Sequence, residues 1–114
     1  MKIEDLIEEL LDNGIQITIN KFEGEKRYHL PGFYKSNGFV YLVQEGEKVI
    51  AYQRYGEKKE IWDLADLLYL NKYWWEITKE RNPGSTMYPD DEWKKLLLDR
   101  GIIKAETKTI TTYS

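Results

Sequence analysis

One histidine, no cysteine and 20 acidic side chains are the raw material for chemistry in this chain. A lone imidazole, His29, excludes sites built from two histidines and leaves a single candidate base, expected near a strand end with one hydrogen bond. Without cysteine there is no thiolate catalysis, no disulfide and no Cys-based zinc or iron–sulfur centre. Acid pairs recur at Glu8–Glu9, Asp63–Asp66 and Asp90–Asp91. Of these, Asp63 and Asp66 lie about one helical turn apart and could approach a divalent cation, but no third or fourth ligand accompanies them. Asp90, Asp91 and Glu92 fit the first turn of a helix, where negative charge complements the dipole. The stretch 82–86, Asn-Pro-Gly-Ser-Thr, has the small residues of an anion cradle but neither the spacing nor the lysine of a phosphate-binding loop. The chain therefore reads as a non-enzyme with no cofactor and no metal.

Recognition chemistry is better represented, with four tryptophans and nine tyrosines. Such side chains fill cores first, yet they also dominate interface hot spots. Residues 61–77 place twelve apolar or aromatic side chains in seventeen positions, which surrounds a helix on every side. Such a helix is either the buried centre of the domain or leaves one side, Trp62, Tyr69 and Tyr73, for a partner. Trp74 and Trp75 point about 100° apart, so one is expected in the core with Leu64, Leu67 and Leu68. Glu4 and Glu8, on the acidic side of an N-terminal helix, are either a solvated face or a phosphate mimic for a partner's nucleic-acid groove. Tyr52 and Tyr55 with Tyr69 and Tyr73 make an alternative pocket for a nucleotide-like ligand, with Arg54 or Arg81 as the anion contact. Lys21, Lys26, Arg27 and Lys35, interleaved with Phe22, Tyr28, Phe33 and Tyr34, form a basic and aromatic cluster that could stack bases and track phosphates, diluted by Glu23 and Glu25.

The elements that must position these groups follow from periodicity. Ile3, Leu6, Ile7, Leu10 and Leu11 make a helical stripe ended by Asn13 and Gly14. Ile15, Ile17 and Ile19 alternate with polar residues, which predicts a strand with that face buried. Turn signals at Glu23–Gly24, Pro31–Gly32, Ser36–Gly38 and Glu45–Glu47 are too short for crossovers, so the sheet is expected to be an antiparallel meander with Phe39–Val43 and Val49–Tyr55 as strands. A long aromatic helix from Lys59 to Arg81 follows, ended by Pro83 and Gly84. A short helix capped near Asp90 carries Trp93, Leu96 and Leu97 and stops at Gly101. The β-branched tail from Ile102 to Tyr113 predicts a C-terminal strand at a sheet edge. The expected architecture is α+β, helices on one face of an antiparallel sheet, in one domain spanning 1–114.

Composition narrows the setting. At 41% hydrophobic and 32% charged the chain can bury a core, and no stretch approaches the roughly 18 apolar residues of a membrane span. The acidic start is the reverse of a secretion signal, which with the absent cysteines predicts a cytoplasmic protein. A net charge of -3 and a pI near 5.3 argue against nucleic acid as a partner.

The run Asp63–Trp75 with Arg81, then Pro89, Trp93, Leu97 and Gly101 with Ile102, resembles a pattern in small proteins of phages infecting Gram-positive bacteria. There an "LN..WW" helix precedes a "P...W...L...G" segment, and the resemblance covers about residues 52–103. The opening fourteen residues are similar to the start of small anti-CRISPR proteins that inhibit a CRISPR nuclease. The first resemblance implies a phage or prophage origin, but no activity or functional residue. The combined expectation is a non-enzymatic phage protein in the host cytoplasm, binding a host protein or complex as an inhibitor of a defence system, or else pairing as a homodimer.

Overall fold

Two-residue turns set the sheet. Glu23 and Gly24 both have positive φ, 49° and 82°, and join Phe22 directly to Glu25, which is the hairpin turn whose twist matches the flanking strands. Gly46, φ 63°, does the same between Glu45 and Lys48. The computed structural model describes residues 1–33, 40–53, 56–81 and 89–103. In chain order these form α1 (Ile3–Asp12), β1 (Thr18–Phe22), β2 (Glu25–His29), β3 (Tyr41–Glu45), β4 (Lys48–Tyr52), β5 (Lys58–Ile61), α2 (Leu64–Arg81) and α3 (Asp91–Asp99). All neighbours pair antiparallel in the order β1-β2-β3-β4-β5, a meander as expected, and the fold class is α+β.

Register divides the sheet into two faces. Tyr28, Leu42 and Ala51 form one cross-strand row, Val49 pairs with Ile61, and all five are buried. They share one core with Ile3, Leu6, Ile7 and Leu10 of α1, Leu64, Leu67 and Leu68 of α2, and Trp93, Leu96 and Leu97 of α3. The opposite face carries Arg27, His29, Tyr41 and Tyr52.

Helix ends are closely specified. Gly14 (φ 81°) and Gly101 (φ 68°) sit just past α1 and α3. In each case the glycine N–H and the following isoleucine N–H donate back into the last turn, Gly14 to Leu11 and Ile15 to Leu10, Gly101 to Leu98 and Ile102 to Leu97. That pattern satisfies carbonyls the helix leaves open. At the start of α1 the Ile3 N–H donates to Gln44 Oε1 at 2.7 Å, while Gln44 Nε2 donates to the carbonyls of Met1, Gly46 and Lys48. α3 is anchored where the Asp90 N–H donates to the Gly32 carbonyl at 3.0 Å.

Several expectations change. The stretch 58–61 is strand β5, so the long helix begins at Leu64 rather than Lys59. There Val49↔Ile61 and Ala51↔Lys59 pairing with β4 competes with helix propensity and wins. The Ile15–Ile19 alternation is only half used, since Ile15 is buried, Ile17 partly so, and Ile19 exposed. β1 starts at Thr18 and is exposed along its whole length. Leu11 is exposed too, because the buried stripe of α1 ends one position short of it. The tail strand expected from Ile102 does not begin there, since Ile102 and Ile103 form a bend packed into the core after α3, and the rest of it, from residue 104 onward, lies with the 82–86 stretch and the Ser36–Gly38 turn outside the described residues.

Candidate binding surface

The start of α2 fixes the most exposed aromatic residue among the described residues. The Asp66 N–H donates to Asp63 Oδ1 at 2.9 Å, and the Trp62 N–H donates to Asp66 Oδ2 at 2.8 Å, a reciprocal cap of the kind that satisfies free donors at a helix start. The spacing that suggested a cation pair is thus a helix cap. Trp62, held by this turn, is 71% exposed.

Along α2, Leu64, Leu67, Leu68 and Asn71 face inward, and Ala65, Tyr69, Tyr73 and Glu76 face outward. Tyr69 and Tyr73, one turn apart, are 55% and 56% exposed. The helix therefore has an outer side, on which Tyr69 and Tyr73 stand among Ala65, Glu76 and Glu80. Neither Trp74 nor Trp75 enters the centre of the core. Both are half-buried at its rim, Trp74 meeting Tyr73 edge-on at 5.7 Å, and the fully buried tryptophan is Trp93, set edge-on against Phe33 at 5.2 Å. Asn71 is fully buried with no hydrogen-bond partner for its carboxamide among the described residues.

Beside these tyrosines, Gln53, Glu57, Lys58 and Lys59 of the β4–β5 segment and Tyr69, Leu70 and Tyr73 of α2 line a cleft of about 360 Å³. Of the two lysines Lys59, opposite Ala51, is on the helix side of the sheet, and Lys58, opposite Tyr52, is on the other. The turn into β5 is closed by the Gln53 N–H donating to the Glu57 carbonyl at 2.8 Å, with Gly56 at φ 77°. Gln53 Oε1 is shielded from solvent and accepts no hydrogen bond among the described residues. Periodicity marks neither Leu70 nor Lys59 as a lining residue, because the cleft exists only once β5 is a strand.

Other candidate residues are dispersed. Tyr52 lies on the helix-free sheet face, stacked on Tyr41 (5.2 Å, 9° between rings), its hydroxyl donating to Glu45 Oε2 at 2.7 Å. That hydrogen bond, followed by burial and the charge of Glu45, pushes the Tyr52 phenol up to about 12. It does not join Tyr69 and Tyr73 in the cleft, and Arg54, Tyr55 and the Arg81 side chain lie outside the described residues. Glu4 and Glu8 are exposed on α1, whereas Glu9 reaches Arg100 at 3.6 Å.

The basic and aromatic cluster is split by the pleat. Lys21 and Lys26 are a cross-strand pair, with Lys26 5.3 Å from the Tyr28 ring. Arg27 points to the opposite face, between the rings of Phe22 (4.5 Å) and Tyr41 (4.8 Å), and pairs with Glu25 at 3.1 Å. His29, at the end of β2, packs on Tyr41 at 5.2 Å. Tyr34 and Lys35 lie outside the described residues. The described cations of this cluster thus form no single basic patch.

No helix among the described residues is long and apolar enough to cross a membrane. Compared with protein-family models, curated proteins and solved structures, the chain matches none of them.

Proposed function

We propose that this chain is a non-enzymatic phage or prophage accessory protein that binds a host protein or complex and inhibits a host defence system. The observation that carries the binding reading is the exposure of Trp62, in the capping turn of α2, and of Tyr69 and Tyr73 on its outer side, each more than half exposed in a chain with ample charge for an ordinary surface. Exposed aromatic groups on a rigid element are what a partner's pocket takes up at low entropic cost. The phage origin and the defence target rest on the sequence resemblance at residues 52–103 and at the N-terminal helix. Tagged protein incubated with a Gram-positive host lysate should retain one stoichiometric host complex, and Tyr69→Ala or Tyr73→Ala should lose it. Recovery of chaperones alone would defeat the proposal.

The cleft beside these residues favours a second reading, a nucleotide-like ligand held between the two tyrosines and Lys59. Titration of nucleotides followed by tryptophan fluorescence separates it from the first.

A further inference from the structure

Polar atoms shut off from water without a partner gather along one stretch of the molecule. Asn71, fully buried, leaves both Nδ2 and Oδ1 unpaired among the described residues, as does Trp74 at Nε1 and, at the cleft beside them, Gln53 at Oε1. Each such atom carries a cost that packing elsewhere must offset. Asn71 also marks a boundary in α2. Before it Leu64, Leu67, Leu68 and Leu70 are buried, whereas after it no described side chain is, Trp74 and Trp75 being half-buried at the rim of the core. The half of the helix beyond Asn71 is therefore held less firmly than the half before it, and local opening takes the less firmly held part first.

We propose that α2 opens at Asn71 when a partner docks, and that Trp74 and Trp75, turned out from the rim, complete the docking surface. The inference rests on the docking reading above and adds a step to it. Trp62, in the capping turn, and Tyr69 belong to the part that holds and give the partner its first contact. Tyr73, edge-on to Trp74 at 5.7 Å, moves with the part that opens. Opening brings the Asn71 carboxamide and the Trp74 indole N–H to water or to the partner, so the cost they carry in the closed helix is released and lowers the work of opening. Tryptophans presented in this way are among the side chains that most often anchor an interface.

Amide hydrogen exchange and melting of the free full-length chain test the break, and capture from a host lysate tests its use. Asn71→Leu keeps the branched shape and removes both unpaired atoms. Its melting temperature should rise, and exchange at Glu76 to Glu80 should slow about ten-fold or more. Because a partner that selects the open helix binds in proportion to its population, capture should weaken by the same factor. Asn71→Asp, which buries a charge at the same point, should reverse both effects, speeding exchange there and strengthening capture. A lower melting temperature in Asn71→Leu would mean that the carboxamide is bonded in the closed helix and overturns the proposal. So does exchange at Glu76 to Glu80 that ignores both substitutions, as fraying from the helix end would, or capture that stays constant while exchange changes. Capture that depends on Tyr69 but not on Asn71 removes the opening step and leaves the docking reading standing. If exchange responds as expected while the unaltered chain captures no host complex, the docking reading falls and the step with it.

Discussion

At the residue scale the centre of the domain belongs to Trp93, 1% exposed and edge-on to Phe33. Trp93→Ala should cost about 3–5 kcal/mol in chemical denaturation, enough to unfold a domain of ordinary stability. Trp74→Ala, at the rim, should cost less than half as much. The Leu96 and Leu97 stripe around Trp93 was legible from periodicity, whereas the burial of Trp74 and Trp75 depends on what lies over the second half of α2. Adjacency in sequence carries no information about that. Tyr52 gives a second test. Its neutral hydroxyl donates to Glu45, so the folded pKa is raised from 10.0 to about 12. A raised folded pKa stabilises fully below the unfolded value, and the contribution is lost as pH rises from about 10 through 12. Solvent screens this surface pair, so Tyr52→Phe should destabilise by about 1 kcal/mol or less at neutral pH. In parallel denaturation series, the gap between variant and parent should close near pH 12. A gap that widens with pH would reject the hydrogen bond.

At the scale of elements, α1 and α3 end on the same text, Leu-Leu-Asp-x-Gly-Ile, at Leu10–Ile15 and Leu97–Ile102. The shared letters are those the terminus needs: a glycine for the left-handed step and apolar residues on both sides of it, buried in one core. An added Cβ at either glycine meets nothing within 4 Å, so only the backbone conformation resists it. Gly14→Ala and Gly101→Ala should therefore each cost roughly 1 kcal/mol, and by similar amounts, in thermal melts. A much larger loss at one of them would mean that packing contributes there as well. These stops were legible because local sequence decides them. The start of α1 was not, because its donor is satisfied by Gln44, 41 residues away, through the loop closure of the β3–β4 hairpin. Gln44→Ala should cost about 1–2 kcal/mol and speed amide exchange at Ile3 and its neighbours before the rest of α1. The β5–α2 boundary was misread for a related reason: pairing across β4 is a non-local choice, invisible in a window whose residues suit a helix. With it went Lys59, whereas Tyr69 and Tyr73 share the outer side of α2 by helical spacing, and Trp62 stands before the helix, in its capping turn.

For the whole molecule, the helices cover one face of the sheet, and the aromatic side of α2 is turned away from that core. Two outcomes for that side differ in symmetry. A dimer through α2 would be isologous, the patch around Tyr69 and Tyr73 serving on both copies at once. A foreign partner covers the same patch without that symmetry. On the foreign-partner reading the isolated protein should sediment as a monomer at micromolar concentration. Tyr69→Ala and Tyr73→Ala should leave the melting temperature nearly unchanged, since both side chains are more than half exposed, while removing the captured partner. Sedimentation velocity across a concentration series decides the matter. A dimer that either tyrosine variant dissociates would identify the second copy as the occupant of the patch and overturn the foreign partner.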